Sequence, residues 1–166
     1  YHKGVPGDYV VKAAYFKSGK QPDGGGIDPA KHGCGIKWLA PIIPATGEHA
    51  AKLRTADGRL FEKHGFEFPL SVIMLNPRTV IFALPLFFNK DDPDESARVD
   101  LLYDELVELI EVMGYQQYRT GVAGMDRVLG GNVPVVNLLR QLKAAVDPEQ
   151  CLAPGQYGVN VSRPEE

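Results

Sequence analysis

The hydrophobic pattern changes period several times along the chain. Its clearest stretch is SARVDLLYDELVELIEVMG (96–114), where Val99, Leu102, Leu106, Leu109 or Ile110, and Met113 recur at helical spacing. Asp100, Asp104, Glu105, Glu108 and Glu111 cover the other face, and Gly114 ends the run, so an amphipathic helix is predicted. The polar KDDPDES ahead of it places Pro93 and acids where a helix begins. TGEHAAKLRTADGRLFEKHG (46–65) predicts another helix, with Thr46 as N-cap and His49 at the capping-box partner position. Its apolar face is Ala50, Leu53, Leu60 and Phe61, and Gly65 suits a left-handed C-terminus. Between these helices, FEFPLSVIML (66–75), the turn NPR (76–78) and TVIFALPLFFN (79–89) predict a β-hairpin. Pro85 points to an edge or a bulge. GIKWLAPII (35–43) reads as an apolar strand broken by Pro41.

The ends of the chain are less regular. GDYVVKAAYF (7–16) reads as one strand, and GYQQYRTG (114–121) as a short strand or extended entry. VAGMDRVLG forms a helical turn, and VPVVNLLRQLKAAVDP (133–148) a last amphipathic helix. The resulting order is β-α-β-β-α-β with helical material after it. That predicts an α+β fold: an antiparallel sheet with helices on one face, a ferredoxin-like core and a helical C-terminal tail. Residues 1–34 form an N-terminal extended segment and Gly/Pro-rich loop, 35–148 the main domain, and 149–166 a C-terminal tail. This fold hosts many unrelated functions, so it names none.

Composition narrows the field. The chain has 166 residues, 44% hydrophobic and 23% charged, enough for one domain with a core. A net charge of −3 gives no footprint for nucleic acid or an anionic membrane. No apolar run reaches the roughly 18–20 residues of a membrane span. YHKGVPGDYV has no signal-peptide pattern and no initiator Met, which points to a processed product or a fragment. Cys34 and Cys151 make neither a metal spacing nor a disulfide framework and fit a reducing, cytoplasmic setting.

Most familiar chemistry is missing. Gly24–Gly26 lack the P-loop pattern, and no G-x-S-x-G elbow occurs. His2, His32, His49 and His64 stand in no ligand pattern, so no metal site is predicted. The acidic helix face is a solvated face. Asn160-Val161-Ser162 is a formal glycosylation sequon to which no role is given.

Two segments carry candidate chemistry. In GYQQYRTGVAGMD (114–126), Tyr118 and Arg119 are adjacent, and on a regular strand they would face opposite ways. A guanidinium beside a phenol hydroxyl is a natural donor pair for a phenolate or carboxylate. A surface Arg with a half-buried Tyr explains the pair as well. In AVDPEQCLAPGQYG (145–158), Pro148 and Pro154 fix backbone angles, while Gly155 and Gly158 allow close approach or positive φ. Such a rigid loop suits packing against a flat ligand, or clamping to another domain.

Together, in this order and spacing, the two segments resemble the C-terminal region of FAD-linked oxidases in the vanillyl-alcohol oxidase and 4-cresol dehydrogenase family. GCGIKWLAPIIPATG (33–47), NPRTVIFALPLFFNK (76–90) and GVPGDYVVKAAYF fall where that family has similar segments. The resemblance implies the substrate, or cap, domain of an FAD-dependent oxidoreductase acting on a para-substituted phenol or aromatic alcohol. The tail (149–166) would return to the flavin. The main FAD-binding domain would lie in the missing N-terminal part of the same parent protein, and any acid/base carboxylate with it.

By the same resemblance, Tyr118 and Arg119 are the catalytic pair that holds the phenolic oxygen, and Pro154, Gly155 and Gln156 contact the cofactor. Ile36, Trp38 and Ile81 line the substrate pocket. Ile81, Leu84 and Phe87 suit an aromatic ring and equally suit a core. Two departures stand out. Gln156 occupies a position where the family often has Lys or Arg, which implies a lower flavin potential. Ile36 occupies the position where some members bond FAD covalently, which implies non-covalent FAD. His32 lies four residues away. A cytochrome subunit or oxygen is the implied electron acceptor, and the exposed face of an isolated piece favours a homo-oligomer. Two other readings stay open. In one, a flavoenzyme acts on a 2-hydroxy acid, with Arg119 holding its carboxylate and Tyr118 shuttling a proton. In the other, the chain is a stand-alone ferredoxin-like binding module without catalysis.

Overall fold

A computed structural model describes residues 4, 9–17, 26–121, 124–130 and 133–159. The glycine-rich stretch 18–25 and the sequon at Asn160 lie outside them. The chain divides into two compact units, Tyr1–Gln116 and Gln117–Glu166.

The first unit is an antiparallel sheet with two helices on one face, as the hydrophobic periods predict. Strand β1 (Cys34–Leu39) and strand β2 (Pro41–Pro44) pair with strand β4 (Thr79–Asn89) in one continuous register. Cys34 faces Asn89, Leu39 faces Leu84, Ile42 faces Ile81 and Pro44 faces Thr79. They are one strand interrupted where Pro41 has no N–H to give the ladder. Strand β3 (Ser71–Asn76) pairs with the other side of β4, from Ser71 opposite Ala83 to Met74 opposite Val80, and the register slips between Met74 and Asn76. The turn at Pro77–Arg78 closes this hairpin, with the Arg78 amide donating to the Asn76 side chain at 2.9 Å.

Helix α2 (Gly47–His64) and helix α3 (Pro93–Val112) cover the sheet. Leu53 and Phe61 of α2 and Val99, Leu102, Leu106 and Ile110 of α3 pack on Leu39, Ile43, Phe82, Leu84 and Leu86 of the strands. The caps of α2 are the ones the sequence predicts. The Thr46 hydroxyl accepts from the His49 amide at 3.4 Å, and Gly65 has φ 72°. Asp92 caps α3 by accepting from the amides of Asp94 and Glu95 at 3.0 and 3.1 Å, with Pro93 in the first turn.

The structure corrects two expectations and narrows a third. The segment read as a strand at 7–16 is helical where it is described: α1 (Tyr9–Lys12) runs into a 3₁₀ turn, Ala13–Tyr15. The run VVKAAY has no period-2 alternation, and its paired alanines favour helix. Its anchor is Tyr15, buried, with its hydroxyl 2.7 Å from Nδ1 of His32. The strand expected from Phe66 begins only at Ser71, because Phe66 turns into the core after Gly65 and Pro69 follows. Pro85 is not in a bulge and takes the other expected place, an edge: β3 reaches no further than Ser71 opposite Ala83, leaving β4 with only β1 beside it at Pro85.

The second unit holds helix α4 (Met125–Gly130), helix α5 (Val133–Val146) and a 3₁₀ turn at Gln156–Gly158 that packs against α4. Strand β5 (Gln116–Gln117), where the first unit ends and the second begins, has only two residues. The strand read over 114–121 therefore stops before Tyr118. No described helix is long and apolar enough to cross a membrane.

Candidate functional site

Tyr118 and Arg119 lie beyond β5, with Tyr118 at a bend and Arg119 in irregular backbone. The bend removes the strand's alternation, so the two side chains do not face opposite ways. The Arg119 guanidinium carbon sits 5.7 Å from the centre of the Tyr118 ring, a cation–π distance. Both residues are exposed. Among the described residues no carboxylate pairs with Arg119. The arrangement offers a hydroxyl and a cation close together, free to meet an anion.

The loop after α5 is held from within. Asp147 is buried, and its carboxylate accepts from the amides of Cys151 at 2.8 Å and Leu152 at 3.1 Å. Lys143, one turn earlier, donates to the same carboxylate and also to the Leu152 carbonyl at 2.6 Å. The Lys143 ammonium, helped by the two amides, holds the Asp147 carboxyl below the usual carboxylate range against its own desolvation. Pro154, Gly155 and Gln156 follow, all exposed, with Gly155 left-handed at φ 78°.

The three residues read as lining a pocket belong to the first unit. In an antiparallel pair, directly opposed residues share a face. Ile36 faces Phe87, Trp38 faces Pro85, and Ile81 faces both Ile42 and Ile73. Ile36, Trp38 and Ile81 therefore lie on one sheet face, opposite the helices. Trp38 is 55% exposed and Ile73 50%, so this apolar face is open, whereas Ile81 itself is buried among its neighbours. Leu84, grouped with Ile81 and Phe87 on composition, points the other way and is core. Asp147 and Lys143 were not singled out by the sequence. The available signal was a Lys–Asp pair at i, i+4 across the end of a helix, directly before a proline.

No protein-family profile matches the chain. Over 131 residues it is 31% identical to the 4-cresol dehydrogenase (hydroxylating) flavoprotein subunit of Pseudomonas putida, covering 78% of this chain and 25% of that protein. The crystal structure of p-cresol methylhydroxylase with substrate bound superposes with a TM-score of 0.72 and 30% identity, over 79% of this chain and 25% of that one. The chain belongs to the vanillyl-alcohol oxidase and 4-cresol dehydrogenase family. It corresponds to the C-terminal part of these flavoproteins. A second family relative, 1'-carboxy-chondrochloren decarboxylase of Chondromyces crocatus, is 31% identical over 157 residues, 94% of this chain and 29% of that protein. The 4-ethylphenol oxidase of Gulosibacter chungangensis, in its isoeugenol complex, shares the fold with a TM-score of 0.72 at 24% identity, over 79% of this chain and 26% of that one. The chain thus spans between a quarter and a third of the length of these relatives.

Flavin is the cofactor of this family, and the tail has the chemistry to meet its ring. Leu152, Ala153 and Pro154 present an exposed, mostly apolar strip, and Gln156 adds one neutral amide. The strip's backbone is fixed from behind by Asp147. Those residues fit the flat isoalloxazine. They include no cation for the pyrophosphate.

Proposed function

We propose that this chain is the substrate-side part of an FAD-dependent oxidoreductase that oxidises a para-substituted phenol or aromatic alcohol. The observation that carries this reading is the exposed Tyr118–Arg119 pair, with the guanidinium over the ring and, among the described residues, no carboxylate paired with it. Arg119 would take the phenolic oxygen as an anion, and the Tyr118 hydroxyl would donate a second hydrogen bond to it. Both contacts strengthen as that oxygen holds charge, so they favour the phenolate over the neutral phenol. A phenolate pushes electron density to the para position and makes the benzylic C–H a better hydride donor. FAD, when bound, supplies the two-electron acceptor. Pro154, Gly155 and Gln156, all exposed, would border the flavin. The remainder of the FAD site, and the partner domain that bears it, would come from the rest of the parent protein. A cytochrome subunit or oxygen would then take the electrons.

The test is an anaerobic titration of the purified, flavin-bearing parent with 4-alkylphenols, followed by the flavin's visible absorption. Bleaching is expected, slowed by about 10²-fold or more in Arg119→Met, the usual scale for removing one preorganised electrostatic donor. A parent without flavin, or one whose flavin no 4-alkylphenol bleaches, refutes the reading.

One observation supports a second reading. The decarboxylase relative acts, by its name, on a carboxy-bearing compound. In this chain Arg119 would then hold a carboxylate. Bleaching by a carboxylate-bearing substrate, such as a 2-hydroxy acid, and not by 4-alkylphenols would favour it.

A further inference from the structure

The loop that leaves α5 is built under strain. The three described non-glycine residues with positive φ all fall within it: Gln150 at 54°, Ala153 at 43° and Tyr157 at 54°. Each such conformation is disfavoured for a residue with a Cβ and persists only where the surroundings impose it. Here a ring of polar contacts built on Asp147 imposes it. The Asp147 carboxylate is 6% exposed and gathers the Cys151 amide, the Leu152 amide and the Lys143 ammonium. Lys143 closes the ring by donating to the Leu152 carbonyl at 2.6 Å, and the Gln150 amide donates to the Asp147 carbonyl at 3.0 Å. The Gln156 amide then donates to the Ala153 carbonyl at 3.3 Å, which carries the fixed path into the 3₁₀ turn. The side chains beyond this anchor are not spent on packing: Leu152 is 65% exposed, and Ala153, Pro154, Gly155 and Gln156 are exposed. A buried ion pair thus holds an exposed, apolar backbone strip in a shape it would not keep alone.

We propose that Asp147, paired with Lys143, is the positioning residue that fixes residues 151–156 in the conformation they present to the flavin. This rests on the reading of the tail as a flavin contact, and it assigns the control of that contact to two residues that touch no cofactor. Lys143 neutralises the buried carboxylate, and the carboxylate orients the two amides. Losing the carboxylate frees both amides and leaves the lysine without its counter-charge.

The experiment has two arms. In the flavin-free 166-residue chain, amide hydrogen exchange is measured at Cys151 and Leu152 for wild type, Asp147→Ala, Asp147→Asn and the control Glu149→Gln. In the flavin-bearing parent, FAD retention and the flavin's visible spectrum are measured for the same substitutions. Asp147→Ala is expected to lose protection at both amides by about tenfold or more, the scale of hydrogen bonds to a charged group. It is expected to weaken FAD retention by a similar factor and to shift the flavin bands. Asp147→Asn keeps one carbonyl oxygen and should fall between, and Glu149→Gln should match wild type. Unchanged protection in Asp147→Ala overturns the proposal, and so does lost protection with unchanged FAD retention and spectrum. If circular dichroism shows that Asp147→Ala does not fold, Lys143→Met decides. It removes the counter-charge and the bond to the Leu152 carbonyl, so amide protection, FAD retention and spectrum all identical to wild type would overturn the proposal. A parent that binds FAD but is not reduced by 4-alkylphenols refutes the phenol reading alone, and the clamp is still judged by amide protection and FAD retention.

Discussion

Asp57 has no exposed surface, sits on the core side of α2 between Leu53 and Phe61, and neither of its oxygens finds a hydrogen bond among the described residues. Burial alone pushes its carboxyl from 3.8 up to about 7. The unfolded chain would titrate it at about 3.9. The folded value is the higher one, so between these pH values the native state holds a proton that the unfolded state has released. Stability from the neutral carboxyl is fully present below about pH 4 and is lost as pH rises through about 7. At ~1.4 kcal/mol for each tenfold step, the gap amounts to about 4 kcal/mol in all, and about 3 kcal/mol of it falls between pH 4.5 and 8. Water entry and relaxation around the charge would lower that figure, so it is an upper bound. The perturbation is Asp57→Asn, nearly isosteric and unable to ionise. Its buried amide carries a similar unsatisfied-group cost at every pH, so the informative quantity is the change in the mutant-minus-wild-type difference. Urea unfolding followed by far-UV circular dichroism at pH 4.5, 6 and 8 measures it. The variant should be close to wild type at pH 4.5 and clearly more stable at pH 8. Carboxylates depressed by partners, such as Glu105 beside Lys63 and His64, contribute equally to both proteins and cancel. A difference that moves by less than about 0.5 kcal/mol across this range would sink the reasoning.

Three further outcomes follow from particular contacts. Gly35→Ala would put a Cβ 2.4 Å from the Phe88 ring, so it should cost about 1–3 kcal/mol in urea unfolding; a neutral effect would mean that the Phe88 ring moves aside freely. Gln156→Lys in the flavin-bearing parent should raise the flavin midpoint potential, because a cation favours the more negative reduced ring; spectroelectrochemistry showing no change refutes the placement of Gln156 at the flavin. Ile36 has no nucleophilic atom, so acid precipitation of the parent should leave a colourless pellet and a yellow supernatant; a yellow pellet would reveal a covalent flavin bond elsewhere.

What was legible in the sequence tracks what is periodic. Helix α3 shows in the spacing of Val99, Leu102, Leu106 and Ile110 because one buried stripe decides those positions, and all four are core. The same logic finds α2 but misses one of its buried residues. Leu53, Asp57 and Phe61 follow one another at i, i+4, yet an apolar count passes over the aspartate, although all three are buried. The strand read at the N-terminus failed because a short apolar run has no period to distinguish strand from helix. The sheet face was only half legible. Ile36 and Trp38 share a face by parity, but whether Ile81 joins them depends on the register of β1 against β4, which no local pattern states.

The candidate site was the least legible part, for the same physical reason. Tyr118 and Arg119 stand together because the backbone bends at Tyr118, and the residue type there does not announce a bend. The tail depends on a buried carboxylate meeting two amides four and five residues later. Proline and glycine mark that the chain turns in this region, but not which group holds the turn. Aperiodic backbone has no repeated hydrogen bonds of its own, so single side chains must supply them. In this chain Asp147 supplies two, and the strip carrying Pro154, Gly155 and Gln156 follows directly from that anchor. A substitution that leaves every exposed residue of the strip intact should therefore still disable it, provided that it removes the anchor.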